Sequence, residues 1–360
     1  MRSKQYFTPH ILIGSNLIHF FWVLFQLNFS IKRKNIVRLF ITFLILLIFT
    51  PFRIIETILY FFSKKEDVKA PIFIVGHPRS GTTYFHDSLN EIDNLVAPRM
   101  IDCLFPYMNR YFKFILIPIL NKVLPETRLM DKMAVKWDSP QEEEFGMELM
   151  NGYTSIGFLF APHARKMILN DYILLKSPKA KKIWLRTHLK YARKIQSIHK
   201  GKTLVFKSPS NTAKILELLE IYPDAKFIHI VRNPQDVIPS TIHLYKQILP
   251  EFSLQNETNF NLTEYVFEYY TQVMDKFIST KSKLSTSHFF ELKYEDFVEN
   301  PIEMLEKAFS DLKINSDLEQ LKPFFEKRKN FNKNAFERDK ALEQQINEKC
   351  LSIIQNYQYN

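Results

Sequence analysis

The chain has 360 residues, 46% hydrophobic and 24% charged, so it is long enough to bury a sizeable core and is not a disordered polypeptide. Its two cysteines, Cys103 and Cys350, allow one disulfide at most and exclude a disulfide framework or a cysteine zinc site. A formal net charge of +11 calls for an anionic partner. No zinc finger, arginine-rich arm or aromatic RNA-binding signature accompanies that charge, so a membrane surface and an anionic small molecule are expected rather than nucleic acid.

The first seventy residues are unusually apolar. Ile11 to Phe29 carries no formal charge, but His19, Gln26 and Asn28 make it a marginal span. Leu39 to Phe52 is more strongly apolar yet short for a straight span, and Arg53 and Glu56 interrupt the run that continues to Phe62. A basic cluster, Lys32, Arg33, Lys34 and Arg38, lies between the two stretches and is placed to meet anionic headgroups. No small-residue cleavage site follows cleanly, which argues against a signal peptide. The expectation is monotopic or hairpin attachment. Residues 1–69 are read as an apolar helical membrane-associated extension, 70–335 as a catalytic domain and 336–360 as a helical tail.

After the linker KKEDVK at 64–69, Pro71 introduces the strand-like run IFIV, followed by a polar turn and a helix from about Thr82 to Leu89. Residues 101–125 are apolar with interspersed prolines and are read as short helices lining an acceptor entrance. Asp138, Ser139 and Pro140 carry the signals of a helix start, and that helix is predicted to run through Met147 and Met150. A helix over 179–199 places Leu189, Ala192 and Ile195 on one face. TLVF at 203–206 and FIHIV at 227–231 read as strands, each running into a polar motif, and HFFELKYEDF at 288–297 supplies another strand and turn. Strands alternating with helices predict an α/β fold with a mostly parallel sheet flanked by helices. Ligands in such sheets sit at the carboxyl ends of strands, where these motifs converge.

The first motif, GHPRSGTT at 76–83, has the glycine spacing of a phosphate-binding loop, but Thr82 stands where nucleotide hydrolases need lysine. Arg79 supplies the charge from inside the loop, and the N–H groups of Ser80 to Thr83 at a helix start suit an anion. Arg232 follows a later strand, and Ser240 lies almost two turns along a helix opened by Pro234, so both reach a second anion. Lys207, at the end of TLVF, is expected beside the leaving oxygen. Two anion sites point to a doubly phosphorylated nucleotide donor and away from ATP or GTP hydrolysis.

With these motifs in view, the chain resembles the 3′-phosphoadenylyl-sulfate-dependent sulfotransferases, in the P-loop-like group carrying G-H-x-R-S-G-T-T, P-Q-E-x-E-F, K-x-P-x-[HN]-T and F-I-H-x-x-R-[ND]-P. Here the motifs read GHPRSGTT, PQEEEF, KSPSNT and FIHIVRNP, in that order, within a resemblance covering roughly 50–335. The resemblance implies in-line transfer of a sulfuryl group to a hydroxyl of a lipidic or other small acceptor, with no metal. It implies that His77, Arg79, Ser80, Gly81, Thr82 and Thr83 surround the 5′-phosphosulfate and that Arg232 and Ser240 hold the 3′-phosphate. YED at 294–296 with Pro301, and KNFNKN at 329–334, match later segments of the group.

Cytosolic members use a histidine as base, but Pro209 stands at that position here, so the acidic run is the expected replacement, with Glu142 and Glu144 at the group's regular positions. His77 is the alternative base, while His86 and His229 read as structural. The apolar amino terminus and the 101–125 region favour a lipidic acceptor, whereas the NET and NLT sequons at 256–258 and 261–263 keep a carbohydrate acceptor open. Catalysis is expected on the side of the membrane that supplies the donor, the cytoplasmic side. A degenerate membrane-associated scaffold is the competing reading. It predicts erosion of the anion-binding residues, yet Arg79, Lys207, Arg232 and Ser240 are all present.

Overall fold

The structure, a computed structural model, describes residues 9–121, 136–255, 260–328 and 339–359. The NET sequon and KNFNKN lie outside the described residues. The chain forms two compact units, one of Met1–Asp67, Pro98–Lys200 and Gln247–Phe260, the other of Val68–Ala97, Gly201–Lys246 and Asn261–Asn360.

The second unit carries a parallel sheet of β1 (Ile72–Val75), β2 (Leu95–Val96), β3 (Thr203–Lys207), β4 (Lys226–Val231) and β5 (Phe289–Lys293) in the order β2-β3-β1-β4-β5. The apolar runs become strands because both faces are covered, and every residue of β1 is buried. One face is an aromatic row in which Phe73 pairs in register with Phe206 and Phe227 and stacks on each at 5.3 Å between ring centres. On the other, Ile72, Ile74, Val205, Ile228 and Ile230 pack with Phe85 and Leu89 of the Thr82–Leu89 helix. β1 is central, and the chain crosses to β3 on one side and β4 on the other. The crevice at such a reversal of strand order opens at the carboxyl end of β1. The two-residue strand β2 was not anticipated, since it is too short to carry a hydrophobic period.

The chain's last two described helices, Lys340–Lys349 and Leu351–Tyr357, also belong to this unit. Their buried side chains Ile346, Cys350, Ile353 and Tyr357 recur at the spacing of one helical face. Cys350 and Cys103 are both free thiols.

The first unit is helical. Its longest described helix, Arg33–Phe62, has 30 residues and spans about 45 Å, longer than the short second stretch read from the sequence. Arg53 and Glu56, which break the hydropathy, do not end it, because both lie on an inward stripe with Asn35, Leu39, Thr42 and Leu46. Arg53 donates to the Ile13 carbonyl at 2.5 Å, while Glu56 accepts from Lys194 Nζ at 2.7 Å and from the Arg110 and Tyr111 N–H groups at 3.3 and 3.1 Å. The opposite face leaves Phe40, Ile48, Ile54, Ile58 and Phe62 exposed. Of the basic cluster, Arg33 and Lys34 are exposed, whereas Lys32 is buried and Arg38 donates to the Glu251 carbonyl at 2.7 Å.

The Met100–Leu104 and Lys113–Leu120 helices bring Ile101, Phe105 and Leu116 into a cluster with Phe49 and Phe52 of the long helix. A correction concerns the helix expected from Asp138. Here Pro140 pairs with Arg99 as an antiparallel bridge, Met100 N–H donates to the Ser139 carbonyl at 2.8 Å, and the helix starts at Glu143 with Glu142 as its cap. The capping signals at 138–140 are spent on an extended pairing instead.

Candidate active site

The loop after β1 is built from backbone conformations that few residues tolerate. Gly76 has φ +147°, and a Cβ there would lie 2.5 Å from the Ile230 carbonyl of the neighbouring strand. Gly81, at φ +95°, caps the Thr82–Leu89 helix, and a Cβ there would lie 2.2 Å from Cδ2 of Tyr294. Arg79 between them is left-handed without being glycine, at φ +72°, a strain of about 1–2 kcal/mol. The loop offsets that strain with its own bonds. Gly76 N–H donates to Thr212 Oγ1 at 2.7 Å, and Ser80 donates to the His77 carbonyl through N–H at 3.1 Å and through its hydroxyl at 2.8 Å.

This strained turn brings the cationic residues together. Arg79 Nε donates to Ser240 Oγ at 2.9 Å, joining residues 161 positions apart. Ser240 lies within the Pro234–Phe252 helix, as the proline signal implied. Arg232, directly after β4, donates from Nη1 to the Arg79 carbonyl at 3.3 Å. It pairs with Asp236 at 3.0 Å and stacks over the Tyr294 ring at 4.7 Å. Lys207 ends β3, is buried, and donates to Thr83 Oγ1 at 3.4 Å. Arg79, Ser80, Gly81, Thr82, Thr83, Lys207, Arg232 and Ser240 therefore meet at the carboxyl end of the sheet in the second unit. Ser80 and Thr82 are buried, and the Ser80 hydroxyl is turned back onto the loop, so it braces the turn.

His77 serves the loop through its carbonyl. Its ring is buried against Tyr269 and Tyr270, at 5.2 and 4.7 Å, and Nδ1 lies 2.9 Å from the Pro78 carbonyl. Burial pushes its pKa down to about 3, so the buried ring is held in its neutral form. His86 is likewise held at about 3, by burial first and then by the Lys207 charge.

Glu142 and Glu144 belong to the first unit. Glu142 is half-buried at the cap of the Glu143–Asn151 helix. Glu144 is fully buried, where it accepts from the Ser155 hydroxyl, from Ser155 N–H at 3.1 Å and from Trp184 Nε1 at 3.2 Å. Three donors fix that carboxylate in one orientation. The sequence reading missed Glu148, one turn further on the same helix. It accepts from Thr154 Oγ1 at 2.7 Å, lies 4.0 Å from His19 Nε2, and burial pushes its pKa up to about 8. Its position four residues after Glu144 was the available signal. Tyr294 was noted only as part of a motif. No spacing rule links it to Gly81 or Arg232, and only the folded sheet brings the three together.

A family model described as "Sulfotransferase family" matches residues 71–320. The chain is 30% identical over 298 residues to proteins of Mycobacterium bovis and Mycobacterium tuberculosis named omega-hydroxy-beta-dihydromenaquinone-9 sulfotransferase Stf3, covering 81% of this chain and 75% of each relative. Among solved structures, the fold is similar to sulfotransferase STF9 from Mycobacterium avium, with TM-score 0.67 and 15% identity over 81% of this chain and 77% of that one. It is also similar to sulfotransferase STF1 from Mycobacterium tuberculosis, with TM-score 0.61 and 13% identity over 88% and 93%.

Proposed function

The chain belongs to the sulfotransferase family, and on that footing we propose that it transfers a sulfuryl group from 3′-phosphoadenylyl sulfate to a hydroxyl of a lipidic acceptor. The observation that carries the donor half is the meeting of Arg79, Ser240 and Arg232 around one turn at the end of the parallel sheet. When bound, the donor supplies the sulfuryl group. The N–H groups at the start of the Thr82–Leu89 helix, together with Arg79, hold its 5′ end, and Arg232 and Ser240 hold the 3′-phosphate. Lys207 and Arg79 stabilise negative charge growing on the bridging oxygen, as positioned cations do in phosphoryl transfer. By the family motif PQEEEF, Glu142 or Glu144 takes the proton of the acceptor hydroxyl.

The acceptor half rests on two observations. The curated relatives are named for a hydroxylated menaquinone. The Arg33–Phe62 helix, long and apolar enough to cross a membrane, turns a polar stripe inward and an apolar face outward. A helix lying along its own unit with Arg53 and Glu56 buried beneath it favours attachment in the membrane plane. Such a placement lets an amphipathic alcohol present its hydroxyl without leaving the lipid.

The test is thermal stabilisation in mild detergent by adenosine 3′,5′-bisphosphate, with and without magnesium, for the wild type and Arg232→Ala. Sulfate transfer from radiolabelled donor to membrane lipid extracts follows. A magnesium-independent shift that is lost in Arg232→Ala, with label appearing in an organic-soluble product, is the expected result. A folded protein that shows no shift overturns the donor assignment, and label confined to water-soluble products overturns the acceptor class.

A further inference from the structure

The family match ends at residue 320, yet the last helices reach the turn that carries Arg232. Asp339 Oδ1 caps the first of them by accepting from Ala341 N–H at 3.0 Å, and the buried stripe Ile346, Cys350, Ile353 and Tyr357 seats both. Two polar arms extend from this seat. Asn347 Oδ1 accepts from Gln235 Nε2 at 2.7 Å, and the Glu343 carbonyl accepts from the same nitrogen at 3.3 Å. Tyr359 donates its hydroxyl to Glu295 Oε2 at 3.1 Å, and Glu295 Oε1 accepts the Asn233 N–H at 3.4 Å. Lys293 Nζ lies 4.9 Å over the Tyr359 ring and holds that arm on the end of β5. Tyr357 anchors it further by donating to Glu291 at 3.0 Å.

The two arms grip residues 233 and 235, immediately after Arg232. Glu295 itself follows Tyr294, the ring on which Arg232 stacks. We infer that segment 339–359 is a strap that sets the arm for the donor's 3′-phosphate, with Tyr359 and Asn347 as positioning residues that act on Arg232 through Glu295, Asn233 and Gln235. Tyr357 and Lys349 do bond elsewhere, to Glu291 and Glu264, but Asn347 and Tyr359 both reach the turn that carries the 3′-phosphate arginine. A carboxylate released from Tyr359 would also lie one residue from the Arg232 platform, free to compete as an anion with the phosphate. The inference rests on the donor reading above.

The experiment compares calorimetric affinities for adenosine 3′,5′-bisphosphate and adenosine 5′-monophosphate, which lacks the 3′-phosphate, on the full chain. Wild type, Tyr359→Phe, Asn347→Ala and the double variant are measured. A general loss of structure weakens both ligands alike, so the ratio of the two affinities is the readout. We expect the wild type to prefer the bisphosphate and the double variant to lose about 5–20-fold of that preference, with monophosphate affinity unchanged. Tyr359→Phe keeps the ring and its lysine contact, so it separates the hydroxyl's role from packing. An unchanged ratio, or an equal loss on both ligands, overturns the strap. A wild type that does not distinguish the two nucleotides overturns the donor reading itself, and the strap with it.

Discussion

Gly81→Ala is the sharpest single perturbation of the candidate site, because two separable penalties fall on one methyl group. The first is conformational: φ +95° places a Cβ in the left-handed region, at a cost of about 1–2 kcal/mol. The second is steric. The new Cβ lies 2.2 and 2.4 Å from Cδ2 and Cε2 of Tyr294, so the ring must move, and overpacking of this kind costs about 1–3 kcal/mol. The sum is about 2–5 kcal/mol, a large share of a typical domain's stability. Gly201→Ala is the control within the same unit, since Gly201 has φ +78° and open space around its Cβ position, so it carries the first penalty alone. Urea unfolding of both variants therefore isolates the clash as the difference. A displaced Tyr294 ring also leaves Arg232 without its platform, worth about 0.5–1 kcal/mol at a partly exposed site. Bisphosphate affinity of the folded Gly81→Ala protein is accordingly expected to fall about 2–5-fold, with no change in Gly201→Ala. Equal destabilisation of the two variants would refute the packing of Tyr294 on the loop. A destabilised Gly81→Ala with wild-type affinity would refute the ring's role in placing Arg232.

Other outcomes follow from burial and charge. His10, His77 and His86 are held at about 3 and His19 at about 4, all by burial first. Folded values below the ordinary 6.5 mean that the unfolded chain binds these protons first. Stability is therefore full above about pH 6.5 and is lost toward pH 3–4, by up to about 2 kcal/mol per histidine at pH 5, as urea midpoints across pH 7.5–5 will show. Glu148 has the opposite sign. Its folded value near 8 means stability is lost as pH rises from about 4.5 to 8, so Glu148→Gln should match wild type at pH 4.5 and exceed it at pH 8 by up to about 4 kcal/mol in denaturant titrations. Phe40→Glu with Ile48→Glu removes two exposed apolar side chains from the long helix and should lower vesicle flotation about 100-fold or more while leaving the unfolding midpoint unchanged. If flotation persists, that face is not the membrane contact.

What was legible in the sequence followed the scale on which each signal acts. β1, β3 and β4 are apolar runs that end in polar motifs, while β5 alternates buried and half-buried residues. Burial on both faces makes such runs readable without any partner in view, whereas β2 has too few residues to show a pattern. Arg79 and Arg232 could be brought to one edge from a distance because each follows a strand of one parallel sheet, and parallel strands deliver their carboxyl ends to one edge, whereas the bond from Arg79 to Ser240 was not foreseen. The errors arose where local signals compete with tertiary pairing. Asp138, Ser139 and Pro140 are good capping residues, but an extended pairing with Arg99 claims that backbone and moves the helix start to Glu143. Arg53 and Glu56 lower a hydropathy average, yet on a 3.6-residue period they fall on a single inward face and meet partners there, so a linear window reads as an interruption what the helix uses as an anchor. Tyr294 and Tyr359 were the least legible for the same reason. Their roles consist of contacts to Gly81, Arg232 and Glu295, which approach them only through the order of strands in the sheet. Residues proposed to touch the donor are therefore readable from motif chemistry, while residues that aim those side chains become visible only once the sheet has been assembled. Substitutions of the second class are expected to change the ratio of affinities between related nucleotides more than they change the fold.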